Sequence, residues 1–224
     1  MDVGFISPIG MLDKYSLGEV QYCLPSLFLA SKKYKDFYLG EKAKKNEVIL
    51  DCKRLGWKRT PEQFDVIQEV IFELQPDYVI APSWMFNIEK TLSIFQEFMD
   101  EIVLGHSHEI ACLEGTNIKE VLELEKKLRG NSFAIPSHIY NTVLTSKEMD
   151  WTKEYIFIEN HRSCDELFGK KGILLTSLPL RLGLEGRLLS NYLPAPPSLD
   201  FHAEKDPYPM IINSNIKEAL KIYR

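Results

Sequence analysis

"EVILDC" (47–52), "TPEQFDVIQEVIFEL" (60–74) and "DYVIAPS" (77–83) follow one another, and the way their apolar residues recur decides the fold. The first and third are short runs rich in β-branched residues, bounded by polar or turn-forming ones, which is the pattern of strands. The segment between them offers Thr60 as an N-cap, Pro61 at the first helical position and Gln63 to complete a capping box. It then places Phe64, Ile67, Val70, Ile71 and Leu74 on one helical face. Strand, helix and strand in that order make one βα unit and the start of the next.

The same alternation runs outward in both directions. Further strand-like runs are "VGFISP" (3–8), "EIACLEG" (109–115), "SFAIPS" (132–137), "EYIFIEN" (154–160), "GILLTSLP" (172–179) and, weakly, "PSLDF" (197–201). "NIEKTLSIFQEFMDEI" and "TNIKEVLELEKKL" have helical spacing, the second ending near Gly130. Eight strands alternating with helices in 224 residues predict a single (β/α)8 TIM-type barrel domain, 1–224, with an irregular last strand. An open doubly wound sheet is the competitor. Its dinucleotide and P-loop versions lose weight because neither GxGxxG nor GxxxxGK[ST] occurs.

Composition narrows the class. The chain is 45% hydrophobic and 26% charged, and no apolar run nears the roughly 18 residues that suggest a membrane span. The opening "MDVGFISPIG" has an acid where a signal peptide needs cations, so a cytoplasmic location is expected and no membrane partner. Cys23, Cys52, Cys112 and Cys164 stand singly, which favours reduced thiols over a zinc site or disulfides. Net charge is −5, yet residues 32–59 hold ten Lys or Arg against four Asp or Glu. That window is either a basic patch on an acidic body or a solvated helix face.

In a barrel the chemistry sits where strands end, at the C-terminal mouth. The polar residues closing the runs are Asp51, Ser83, Glu114 with Gly115, Ser137 with His138, Glu159 with Asn160 and His161, Thr176 with Ser177, and Asp200 with His202. Carboxylates from several strands at one mouth suit acid/base work or attack at a sugar carbon. Any one of them alone more often caps a helix or pairs with a cation. Tyr15, Trp57, Trp84 and Phe86 are candidates to stack a base, although aromatics near strand ends more often cover the core. His106 and His108 lack a third metal ligand and precede their strand, so they read as a surface turn.

"FISPIGMLDKYSLGEVQYCLPSLFLASKKYKDFY", "VILD", "PDYVIAPSWMFNIEKTLSIFQEFMD" and "ACLEGTNIKEVLELEKKL" resemble, in order and spacing, the small phage and archaeal relatives of tRNA-guanine transglycosylase. The likeness covers most of residues 3–200 and rests on a succession of short matches. It implies a (β/α)8 barrel that exchanges guanine in a polynucleotide for a 7-deazaguanine base such as queuine or a precursor. The implied route is a double displacement through a covalent aspartyl-ribosyl intermediate, the logic of a retaining glycosidase.

By the same resemblance Asp51 is the catalytic carboxylate beside ribose and base, and Asp200 in "SLDF" the nucleophile. Ser83 stands where the family has an aspartate reading the purine edge, and Glu114, before Gly115, where it has the glutamine of a Gln-Gly pair. Glu114 then either replaces that aspartate, marks a different base, or merely flanks the helix beginning near Thr116. Cys52, Lys53 and Arg54 replace the family's small residues after the aspartate. Those cations either hold Asp51 ionised and meet a phosphate, quench it in an ion pair, or turn out to solvent. The family's cysteine-rich zinc element is missing, which favours DNA over tRNA as polymer. No metal or cofactor is expected, and a homodimer is plausible on size alone. Two alternatives stay open: a hydrolase releasing a 7-deazaguanine base from a nucleoside or nucleotide, and a catalytically inactive base- or nucleic-acid-binding barrel.

Overall fold

The computed structural model describes residues 2–16, 18, 20–52, 61–128, 132–158, 172–176, 203, 205, 206 and 208–223. Eight strands occur among them: β1 (Asp2–Phe5), β2 (Val20–Cys23), β3 (Glu47–Asp51), β4 (Tyr78–Ile80), β5 (His108–Cys112), β6 (Phe133–Pro136), β7 (Tyr155–Ile158) and β8 (Gly172–Thr176). They form one sheet in the order β1-β8-β7-β6-β5-β4-β3-β2, every hydrogen-bonded neighbour parallel. The helices are α1 (Leu12–Tyr15), α2 (Pro25–Ala30), α3 (Lys32–Ala43), α4 (Pro61–Leu74), α5 (Ile88–Glu101), α6 (Ile118–Leu128), α7 (Tyr140–Val143) and α8 (Pro209–Tyr223). The chain is a (β/α)8 barrel, nearly closed, as the alternation predicted.

Its strands read as continuous apolar runs because both of their faces are buried. Alternate residues of β2 to β8, among them Tyr22, Ile49, Ile80, Ile110, Ala134, Ile156 and Leu175, pack together inside the barrel with Ile6 just past β1. The intervening ones pack outward against helices, where Val48, Leu50 and Val79 meet the predicted face of α4. Phe64, Ile67, Val70, Ile71 and Leu74 are all at most 4% exposed. Burying side chains of this size contributes about 1.5–3 kcal/mol each, more than the intrinsic helix propensity of so short a segment. Ile212, Ile216 and Ala219 of α8 join Val3 and Phe5 in the same way.

Seven predicted strands are present, each within a few residues of its expected bounds. The eighth is β2, which the sequence reading passed over; the weak candidate 197–201 lies outside the described residues. β1 and β2 are the two ends of the hydrogen-bonded order, so the barrel has a seam between them. Gly4 lets them approach, because a Cβ there would stand 2.9 Å from the Val20 carbonyl oxygen. Gln21 and Ser16 bridge the seam with hydrogen bonds that reach Gly18 and the Phe5 carbonyl. Behind β2, α3 supplies two buried tyrosines: the Tyr38 hydroxyl donates to the Tyr22 carbonyl, and the Leu24 N–H donates to the Tyr34 hydroxyl at 3.0 Å. Side-chain hydroxyls thus give partners to the backbone of β2 and of Leu24 just past it.

Three of the six described cations at 32–59 are locally paired: Lys35 with Glu73, Lys42 with Asp77 and Lys44 with Glu41. Among the described residues no helix is long and apolar enough to cross a membrane.

Candidate active site

Asp51 is the last residue of β3 and follows Ile49 by two, so it shares the inward face and projects into the barrel at its C-terminal end. It is 1% exposed, and the Tyr22 hydroxyl from β2 donates to its Oδ2. Cys52 alternates to the outer side, packs in the helix-facing cluster, and donates its N–H to the Ile80 carbonyl at 3.0 Å. Burial, reinforced by the Asp51 charge, pushes its thiol well above the ordinary cysteine value. Lys53, Arg54 and Asp200 lie outside the described residues, as do Trp57, His161 and His202.

Glu114 follows Cys112 by two and is likewise carried inward, with 0% exposure. The structure gathers three hydrogen-bonding groups on its carboxylate. Ser83, three residues past β4, donates Oγ–H to Oε1 at 2.8 Å. The Phe86 N–H donates to Oε2 at 3.2 Å, and His138 Nε2 reaches the same oxygen at 2.6 Å. Three chain segments thereby meet at one buried charge, the arrangement a buried carboxylate requires.

The reading of Glu114 as a mere neighbour of the next helix does not hold. α6 is capped by Asn117, whose Oδ1 accepts from the Glu120 N–H at 3.1 Å, while Glu120 accepts from the Thr116 N–H at 2.7 Å. Gly115 makes the turn that separates the two. Its φ is +152°, and a Cβ would stand 3.0 Å from the Val121 side chain. A side chain here is strained by backbone and by space together.

Phe86 carries a positive φ of 57°, which a bulky residue adopts only when its surroundings hold it. The turn aims its N–H at Glu114 and sets its ring edge-on to the His138 imidazole, 4.8 Å between centroids. The other aromatic candidates behave differently. Tyr15 is 2% exposed, with its hydroxyl on Asp206 at 2.8 Å, and burial followed by that carboxylate pushes its pKa up to about 12. Trp84 lies under the Lys90 ammonium, 4.2 Å from the ring centroid. His108 opens β5 at the far rim beside Tyr78, and no group of three or more potential metal ligands occurs among the described residues.

Sequence reasoning therefore located Asp51, Ser83, Glu114 and Gly115 in one mouth but missed three partners. Tyr22 was hidden with its unrecognised strand. His138 was noted only as a strand-end residue, although its place two residues after Pro136 carried the inward signal. The Phe86 contribution is made by a backbone N–H, which no residue type announces.

No family model matches the chain, and no curated protein matches it. Solved structures do. A D-psicose 3-epimerase with D-tagatose from Clostridium cellulolyticum H10 aligns with TM-score 0.58 and 9% identity, over 100% of this chain and 98% of that one. A putative fructose-1,6-bisphosphate aldolase from Coccidioides immitis gives 0.58 and 10%, over 99% and 88%. An N-acetylneuraminate lyase from Mycoplasma synoviae gives 0.53 and 12%, over 79% and 69%. At such identities the likeness concerns the barrel alone.

Proposed function

We propose that this barrel is a glycosyltransferase that exchanges guanine in a polynucleotide, DNA in preference to tRNA, for a 7-deazaguanine base. The solved structures it resembles are named as enzymes, which favours catalysis on this fold, but the site carries the argument and the fold does not.

The observation that carries it is the contact between Ser83 and Glu114, 2.8 Å from Oγ to Oε1. The transglycosylase family that the sequence resembles has an acid at the first position and an amide at the second. Because the two side chains touch, placing the acid on the other strand end moves the carboxylate by one hydrogen bond and keeps one charge in the mouth. A guanine edge offers N1–H and an exocyclic amine, both donors. Ser83 is partly buried and gives its own proton to Glu114, so its oxygen lone pairs remain to accept from that edge. Glu114 polarises the hydroxyl from behind. Asp51, held by Tyr22, stands beside the sugar as the acid/base or orienting carboxylate. Asp200 is the nucleophile: its oxygen bonds C1′ as guanine leaves, and the incoming base displaces it with net retention.

Radiolabelled guanine incubated with double-stranded DNA, single-stranded DNA and bulk tRNA tests the assignment. Label retained on one polymer by the wild type, and lost in Asp51→Asn and Asp200→Ala, is the expected result. No label on any polymer refutes exchange; label at the wild-type rate in Asp200→Ala refutes the nucleophile.

A further inference from the structure

We propose that His138 is a catalytic residue of this mouth, carrying a proton between its Nδ1 and the base that leaves or enters, with Glu114 as its positioning residue. The inference rests on the base-exchange reading and deepens it.

Three observations place the ring. Glu114 is sealed at 0% exposure, whereas the His138 side chain is 20% exposed, so a ligand reaches the imidazole and not the carboxylate. Oε2 of Glu114 already accepts from the Phe86 N–H, an obligatory donor, and an ionised carboxylate can only accept, so the ring nitrogen sharing that oxygen at 2.6 Å must donate. That fixes the hydrogen on Nε2. A neutral ring then presents a lone pair at Nδ1, which makes no hydrogen bond among the described residues, and the protonated ring presents N–H there. Finally, the Phe86 ring, held in a left-handed turn, packs edge-on against the imidazole and limits its rotation. Among the described residues the titratable group bonded to the ring is Glu114, and its aromatic contact is Phe86.

The chemistry balances over the two halves of exchange. As the Asp200 oxygen bonds C1′, the C1′–N bond to guanine breaks and its electron pair stays on the base nitrogen. The imidazolium gives its Nδ1 proton to the departing base. In the second half the incoming base loses its ring N–H proton to Nδ1, its freed pair bonds C1′, and the carboxylate leaves. The ring ends protonated, as it began, and no other reactant is needed. Asp51 is then left as the orienting carboxylate. The same carboxylate–imidazole logic fixes tautomer and direction in other proton-transferring sites.

Two measurements on the full chain test this. The first needs no substrate: two-bond ¹H–¹⁵N correlation on protein with ¹⁵N-labelled histidine, recorded at a pH high enough for the ring to be neutral and with His138 assigned by comparison with His138→Gln, reads the tautomer. Nε2–H is expected; Nδ1–H overturns the inference and leaves the exchange reading standing. The second is guanine exchange across pH. His138→Gln, whose amide can still donate to Glu114, is expected to lower kcat about 100-fold or more with KM within threefold, and to remove one limb of the pH–kcat profile. A purely structural role would raise KM or lower the melting temperature and leave the limb in place. Exchange by His138→Gln within threefold of wild type overturns the inference alone; a wild type that labels no polymer overturns both.

Discussion

Glu114 provides the sharpest stability test, because two substitutions that both remove its charge should differ in cost. In Glu114→Gln the amide oxygen can occupy the Oε2 position and still accept from Phe86 and His138. The amide nitrogen then faces Ser83, whose hydroxyl can turn round and accept. Only the charge assistance of those bonds is lost, about 1 kcal/mol. Glu114→Leu instead strands the donors at a site of 0% exposure, at about 1–3 kcal/mol for each one that cannot reach water. The His138 side chain is 20% exposed and recovers part of its share, so the net loss is about 2–4 kcal/mol. Replacing a buried charge with hydrocarbon is neutral only when its partners go with it, and here they remain. At about 2–4 °C per kcal/mol for a chain of this size, Glu114→Gln should melt about 2–4 °C lower and Glu114→Leu roughly 4–16 °C lower. Urea unfolding followed by circular dichroism, alongside thermal melts, gives both numbers. A Glu114→Leu protein as stable as Glu114→Gln would show that these donors do not depend on the carboxylate.

The seam predicts that Tyr38→Phe and Tyr34→Phe each cost about 1–3 kcal/mol, since the first removes a donor to the buried Tyr22 carbonyl of β2 and the second the acceptor of the Leu24 N–H just past it. Urea midpoints measure this, and an unchanged midpoint in either variant refutes the seam argument. For alkaline pH, Tyr15 is held at about 12 against 10.0 for the ordinary phenol, so the unfolded chain ionises first. Its contribution is complete below about pH 10 and lost as pH rises towards about 12; melting temperatures should fall less steeply over that window in Tyr15→Phe, and an identical slope would contradict it.

The fold was legible wherever both faces of a strand are buried, because burial on both sides writes an apolar run into the sequence. "EVILDC" and "EYIFIEN" became β3 and β7 with little adjustment. β2 was not legible for the converse reason. "VQYC" contains Gln21, which is polar because it bridges the seam, and Tyr22, whose ring lies in the barrel while its hydroxyl serves Asp51. A strand that completes a barrel beside a gap is selected for side-chain hydrogen bonding as much as for hydrophobicity. It therefore loses the pattern by which strands are found.

The same distinction explains the site. Asp51 and Glu114 could be found because strand ends in a barrel form a short, countable set. Their partners could not, since Tyr22 lies 29 positions from Asp51, and Ser83 and His138 lie 31 and 24 from Glu114. Only the pairing of successive strands in the sheet makes them neighbours. On the proposed transglycosylase reading, that pairing also changes what the residues at 83 and 114 mean. Read singly, serine for an acid at 83 and an acid for an amide at 114 look like two losses. In contact, they keep one carboxylate at the mouth and add an imidazole directed by it.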